Sequence, residues 1–325
     1  MTSVIRIAII GLGHIGRLHI EALSRVDGLE LVAACDRNPA FSSLASPGIT
    51  FYSDHHALLM AGGFDTAVVA TPNRTHNAIA HDVLDAGYHV IVEKPSAGSL
   101  SELEQLESLA RQHGRHIYYA FHAVYAYEVS WLVSHLREQE SLYGPLTGFV
   151  SRFYDPYIDF EDRLVEHALS LDDCWSDSGV NALSVLDALQ PVDRLRVAAC
   201  RRSGVKENVV GVRSVSVQFY FPVQTGDSSG VGVIETAWDQ GVNFKSTELF
   251  FATTGWRLVA NHTTQSVTAY SSKGEEEILV YFSGERLLNH YLGLFSDYVS
   301  RYPKGAMNAE ASWRIHERLF AVMEL

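Results

Sequence analysis

Six residues near the N-terminus, Gly11-Leu12-Gly13-His14-Ile15-Gly16, have the spacing Gly-x-Gly-x-x-Gly. A turn of this composition can hold a pyrophosphate. Gly11 allows the tight turn, Gly13 lets the backbone come close to the phosphates, and Gly16 lets the next helix pack closely on the strand. The helix start at His14 and Ile15 offers free N–H groups and the positive end of the helix dipole. The pattern gains specificity from its place, directly after the apolar run 4–10 and directly before a helical segment. Asp36 follows Gly16 by twenty residues, at the end of the second expected strand. A carboxylate there accepts hydrogen bonds from the ribose hydroxyls of an adenosine and repels a 2′-phosphate, which favours NAD. Arg37 leaves NADP as the alternative, because a guanidinium pairs with phosphate.

Such a turn needs a parallel sheet behind it. The continuous apolar run over 4–10 reads as a strand buried on both faces, and further strands are expected over 30–35, 49–52, 66–70, 88–93 and 116–121. Helices are expected between them over 17–26, from Asp54 to 61, over 75–86, and from Ser99 or Ser101 to Gly114, with a Ser101–Glu104 capping box. This alternation predicts an α/β doubly wound Rossmann domain over residues 1–122. Beyond about residue 145 the rhythm changes. Val215, Val217, Phe219 and Phe221 alternate with Ser214, Ser216 and Gln218, a period of two that marks a sheet with one wet face. Strands are expected near 146–155, 193–201, 210–221, 231–238, 247–253, 256–261, 264–271 and 277–282, with hairpin loops at 226–230 and 271–274. Two helices close the chain. Residues 123–325 thus read as an α+β domain with a large, mainly antiparallel sheet, whose last helices have the option of packing back on the first domain.

Two strand ends carry more than a generic fold. One reads Ala70-Thr71-Pro72-Asn73-Arg74-Thr75-His76, the other Glu93-Lys94-Pro95. With the glycine turn, these resemble the Gfo/Idh/MocA family, which contains glucose–fructose oxidoreductase and inositol dehydrogenase. The resemblance implies cofactor contacts from Thr71, Pro72, Asn73, His76, Glu93 and Lys94, and makes Lys94 the leading catalytic candidate. The physics agrees, since ligands of open α/β sheets bind beyond the carboxyl ends of the strands. An ammonium there stabilises negative charge developing on oxygen as hydride leaves carbon. Partial burial and the charge of an oxidised nicotinamide favour its neutral form, so the same group exchanges protons near neutrality. The bland alternative is a surface lysine paired with Glu93.

The second domain contains Cys174-Trp175-Ser176-Asp177-Ser178-Gly179-Val180-Asn181. It is similar to the family's Asp-x-Gly-x-His signature, with Asn181 at the histidine position and without the preceding glycines. The asparagine form resembles the aldose 1-dehydrogenases, the L-arabinose and D-galactose enzymes. Asp177 and Asn181 are four residues apart and share a helix face, where they can clamp adjacent hydroxyls, with Asp177 also a base candidate. The competing reading makes Asp177 a helix cap and leaves Asn181 in solvent. Trp175 is a candidate for stacking on a sugar ring, with core packing as its alternative. His122 is a further hydroxyl-binding candidate. Tyr154, Asp155 and Tyr157 at a strand exit are weaker ones.

Bulk properties narrow the classes. At 325 residues the chain exceeds one core, which predicts two domains. With 25 Lys+Arg against 38 Asp+Glu the formal charge is −13, which argues against nucleic acid and anionic membranes as partners. Cys35, Cys174 and Cys200 lie far apart and suggest neither a disulfide framework nor a metal site. No leader or membrane-spanning run is seen, so a soluble cytoplasmic protein is expected. The resemblance further implies a homodimer or homotetramer paired through the C-terminal sheet. The function expected is hydride transfer between NAD and a sugar, oxidising an aldose at C1 to a lactone. Cyclitol or polyol oxidation and keto-sugar reduction are the rivals of the same chemistry, and a non-catalytic dinucleotide or sugar sensor is the rival of another class.

Overall fold

In a computed structural model, the described residues are 4–44, 48–204, 212–223, 228–303 and 308–325. The chain forms two compact units, Met1–His122 with Leu287–Trp313, and Ala123–Arg286 with Arg314–Leu325.

The first unit runs β1 (Ile5–Ile10), α1 (His14–Leu23), β2 (Leu29–Cys35), β3 (Thr50–Tyr52), α2 (His55–Ala61), β4 (Thr66–Val69), α3 (His76–Asp85), β5 (His89–Glu93), α4 (Leu100–His113) and β6 (Ile117–Ala120). Its six strands are parallel, in the order β3-β2-β1-β4-β5-β6. Every residue of β4, β5 and β6 is buried, as a sheet covered on both faces requires. The order reverses between β1 and β4, which opens a ligand crevice at their carboxyl ends.

Two helix starts differ from the sequence reading. Helix α1 begins at His14 rather than 17, because Gly13 itself, in an extended conformation, is its N-cap. Helix α4 is capped by Ser99, whose hydroxyl accepts the Glu102 N–H at 3.2 Å, so the box expected at Ser101 and Glu104 sits two residues too late. Glu102 returns the favour one residue upstream, accepting the Gly98 N–H at 2.8 Å. Asp54 caps α2 as expected, accepting from His56 and Ala57.

The second unit carries α5 (Tyr127–Glu138), α6 (Glu140–Tyr143), β7 (Gly148–Tyr154), a π-helical turn (Trp175–Gly179), α7 (Val180–Leu189), β8 (Arg196–Ser203), β9 (Ser214–Pro222), β10 (Ser229–Ala237), β11 (Phe244–Phe251), β12 (Trp256–Asn261), β13 (Ser266–Tyr270) and β14 (Glu276–Tyr281). The sheet order is β14-β13-β12-β11-β7-β10-β9-β8. Only β7 and β10 pair in parallel; the rest are antiparallel. Val215, Val217, Phe219 and Phe221 of β9 are at most 2% exposed and Ser214, Ser216 and Gln218 are half-buried, which is the one-wet-face pattern read from sequence. Ser271 and Gly274 close the β13–β14 turn. The β9–β10 hairpin pairs as expected, but part of its loop, 224–227, lies outside the described residues.

Helices α8 (Arg286–Arg301) and α9 (Ala309–Met323) follow. Segment Leu287–Trp313 groups with the first unit, by bonds that explain why. The Tyr298 hydroxyl meets that of Thr66 at 2.7 Å, and the Tyr118 hydroxyl donates to Asp297 at 2.6 Å. Asn308 brackets edge strand β6, accepting the Tyr119 N–H at 3.0 Å and donating to the Tyr119 carbonyl at 2.8 Å. A side-chain amide thus satisfies backbone groups that an edge strand leaves open.

His89 makes this unit acid-sensitive. Its Nδ1 accepts the His116 N–H at 3.0 Å, which requires an unprotonated nitrogen. Burial, with His116 and Arg115 nearby, pushes it down to about 4. The unfolded chain therefore binds the proton first as pH falls, so stability is lost between about pH 6.5 and about 4. Urea midpoints should drop across that range, and less so in His89→Gln, whose carbonyl still accepts the bond.

Candidate active site

The glycine turn is built by close contact. Gly11 has φ +99°, and a Cβ there would lie 2.4 Å from the Ala70 carbonyl oxygen at the end of β4. A Cβ on Gly16 would lie 2.0 Å from the Gly11 carbonyl oxygen. Gly13 instead faces open space, with nothing within 4 Å of a Cβ. Asp36 follows β2 and accepts the Leu12 N–H at 2.8 Å on one oxygen and the Asn38 N–H at 2.8 Å on the other. Its carboxylate is thereby fixed beside the turn, and each oxygen keeps a lone pair for a ribose hydroxyl. His14 and Arg37 are exposed and Ile15 is half-buried. An open glycine, a helix N-terminus and a fixed carboxylate suit a dinucleotide.

The loops after β4 and β5 are tied together. Thr71 and Thr75 hydroxyls bond at 2.8 Å, the Pro72 carbonyl accepts from Thr75, and Asn73 opens a short 3-10 turn. The His76 ring reaches the Thr71 carbonyl at 2.7 Å and the Pro95 carbonyl at 2.9 Å and is 2% exposed. Its two nitrogens face one backbone carbonyl from each loop, so His76 braces the two loops. Burial pushes it below the ordinary histidine range, against the two carbonyls that favour its charged form.

Lys94 is half-buried, immediately beyond β5, and precedes a cis peptide to Pro95. Glu93 is 5% exposed and turns inward. Its Oε1 accepts from His19 Nε2 at 2.9 Å and from the Tyr291 hydroxyl at 2.8 Å. Its Oε2 accepts the Lys94 N–H at 3.2 Å. Burial opposes its charge, but the His19 bond and the charges of His19, His122 and Lys94 hold it down at about 2. His122 is 7% exposed and its ring stacks on His290, with their Nδ1 atoms 3.2 Å apart.

In the second unit, Asp173 caps the helical segment, accepting the Trp175 and Ser176 N–H groups at 2.8 Å each. Asp177 is therefore not the cap, and it is 6% exposed. Asn181 is 8% exposed rather than in solvent, and its Oδ1 has no protein donor. Trp175 is core: it is 2% exposed, donates to the Leu319 carbonyl at 3.0 Å, and lies so close to Gly179 that a Cβ would sit 2.5 Å from the ring. This burial matches the core packing given as the alternative for Trp175. The π-helical turn spans Asp177, a distortion that recurs at functional sites.

Beside Asp177 stands a buried ionic cluster. The Ser178 hydroxyl donates to Asp155 at 3.0 Å and lies 3.4 Å from Asp177 Oδ2. Lys245 Nζ donates to the other Asp155 oxygen at 2.6 Å, to Asn243 at 2.9 Å and to the Tyr154 carbonyl at 3.3 Å. Burial pushes Lys245 down and Asp155 pulls it up. Burial and the two carboxylates, Asp177 and Asp155, push the Tyr157 hydroxyl far up, so it stays a neutral donor. Lys245 and Ser178 were not singled out from sequence. Lys245 lies two residues before the strand expected over 247–253, and no motif marks it. Asp155→Ala should cost about 3–5 kcal/mol in urea unfolding, because it strands a buried ammonium.

Other chemistry is quiet. Burial pushes the Cys35 and Cys174 thiols up to about 12. Among the described residues one group, Asp54, His55 and His56, brings metal-type atoms close together, but Asp54 is engaged in capping and His55 bonds Asp82 at 2.9 Å. No helix among the described residues is long and apolar enough to cross a membrane.

Comparison with known proteins fits this geometry. Residues 5–121 match the family profile GFO_IDH_MocA, described as an oxidoreductase family with an NAD-binding Rossmann fold. Over this segment the chain is similar to the NAD-binding Rossmann domain of that oxidoreductase family. D-glucoside 3-dehydrogenase of Escherichia coli is 34% identical over 142 residues, 42% of this chain and 39% of that protein. Inositol 2-dehydrogenase 1 of Saccharopolyspora erythraea is 33% identical over 103 residues, 30% of this chain and 31% of that protein. The chain spans about a third of the length of the curated relatives it matches. The crystal structure of GenD2 from gentamicin A biosynthesis, in complex with NAD, superimposes over 100% of this chain and 94% of its own, with TM-score 0.81 at 19% identity. At that identity the likeness concerns the fold, a parallel Rossmann sheet followed by a mainly antiparallel one.

Proposed function

We propose that this protein is an NAD-dependent dehydrogenase of a sugar, oxidising an aldose at C1 to a lactone. The observation that carries the reading is Asn181. A buried amide oxygen without a protein donor is costly unless a ligand supplies one, and a sugar hydroxyl does so. Bound NAD supplies a hydride acceptor. Lys94 holds the reacting oxygen and takes part in moving its proton. Asp177 accepts from a neighbouring hydroxyl and is the second base available. Asn181 cannot take a proton, which suits an anomeric hydroxyl, more acidic than an ordinary secondary alcohol. Supporting the sugar class are the relatives named as glucoside and inositol dehydrogenases.

Those same names favour a second reading, oxidation of a ring carbon other than C1. A panel of free aldoses, their methyl glycosides and cyclitols, followed by NADH absorbance, separates the two. C1 oxidation turns over free aldoses and spares methyl glycosides, whose anomeric oxygen carries no proton. Turnover of methyl glycosides or cyclitols overturns the C1 assignment. Tight NAD binding with no turnover at all would favour a sensor.

A further inference from the structure

A buried ion pair stands behind the turn that carries Asp177. Lys245 lies on β11 and Asp155 just past the end of β7, and both are buried. The ammonium has three N–H donors, and three oxygens receive them: Asp155 Oδ1 at 2.6 Å, the Asn243 amide oxygen and the Tyr154 carbonyl. The backbone of Asp155 is tied as well, its N–H donating to the Ala237 carbonyl at the end of β10 at 2.9 Å. The other carboxylate oxygen, Oδ2, accepts the Ser178 hydroxyl at 3.0 Å. A buried network whose members all have partners is rigid.

Ser178 joins this network to the site. It is buried, belongs to the π-helical turn Trp175–Gly179, and directly follows Asp177 in the chain. Its single hydroxyl proton goes to Asp155, the nearer carboxylate, while Asp177 Oδ2 lies 3.4 Å away. Other ties hold the two ends of the turn. Asp173 accepts the Trp175 and Ser176 N–H groups at its start, and the Trp175 ring packs on Gly179 at its end. The Ser178–Asp155 bond acts between them, at the residue next to Asp177. A buried ion pair by itself adds little stability, because removing two charges from water offsets their attraction. What this pair does supply is direction: it fixes where one carboxylate sits, and through Ser178 where the turn sits.

We infer that Lys245, Asp155 and Ser178 are positioning residues, which hold the π-helical turn and so set the spacing of Asp177 and Asn181 for the hydroxyls of a sugar. This inference rests on the reading that Asp177 and Asn181 meet the substrate.

Two variants remove the tie in different ways. Ser178→Ala deletes the bridging hydroxyl and leaves the ion pair. Asp155→Leu combined with Lys245→Met replaces the pair by apolar side chains of similar size, which strands neither charge. Amide hydrogen exchange needs no substrate. Over 173–181 it should quicken by about tenfold in both variants, the loss of one or two hydrogen bonds, with β9 and β13 unchanged. With a sugar that the turnover panel identifies, KM for the sugar should rise about tenfold, kcat should change by less than about threefold, and KM for NAD should stay in place. A merely structural role would lower the melting temperature, or quicken exchange throughout the second unit, without shifting KM for the sugar. That result overturns the inference, and so does unaltered exchange over 173–181 in the folded variants. If the double variant does not fold, Ser178→Ala decides alone. Failure of every sugar in the panel would instead overturn the proposed reaction, and exchange over 173–181 would then decide whether these three residues hold the turn.

Discussion

Lys94→Met should cut turnover by roughly 10²- to 10⁴-fold, the range typical of losing a group that exchanges a proton or stabilises charge on the reacting oxygen. Methionine keeps the length of the side chain and removes only the amine. NAD affinity should stay near that of the unaltered protein, because the turn at Gly11–Gly16 and Asp36 are untouched. Single-turnover NADH formation and a separate NAD titration by fluorescence check the two halves. Retained turnover would show that Lys94 is a surface lysine after all.

The second large effect is expected at the glycine turn. Gly11→Ala places a methyl in a left-handed conformation and 2.4 Å from a backbone oxygen that cannot step aside. The strain of such a backbone and the overlap together amount to about 2–5 kcal/mol. The fold of the first unit should loosen and NAD binding should fall by at least about tenfold, since 1.4 kcal/mol is a factor of ten. Gly13→Ala is the informative control. Its added methyl meets no protein atom. Stability should hold while NAD binding weakens, because the methyl occupies space reserved for the pyrophosphate. Unchanged NAD affinity in Gly13→Ala would remove the phosphates from this turn.

Much of this was legible in the chain because the signals are local. A buried parallel strand needs continuous apolar residues, and β1, β4 and β5 have them. A half-wet strand needs alternation, and β9 has it. The glycine turn declares itself through residues whose missing side chains the geometry requires. Boundaries were less legible where two caps compete: Ser99 and Ser101 are equivalent as text, and only the extended backbone at Ser99 selects it. Side-chain partners were not legible. The family resemblance implied cofactor contacts for Glu93 and His76, but no local pattern announced that their side chains meet partners fixed by other segments. Trp175 is the same case, an aromatic whose N–H is claimed by the Leu319 carbonyl.

The sequence by itself determined the dinucleotide turn, the Rossmann rhythm and the change to an alternating sheet, because each depends on spacing within a few residues. Tertiary structure alone decided what grips Glu93, what pairs with Lys245, and that Asn181 is buried with an unmet acceptor. Those facts join His19 to Tyr291 and Asp155 to Lys245 across many intervening residues. Hydrogen bonds and burial depend on distance in space, and no local pattern records which distant segments the chain brings together.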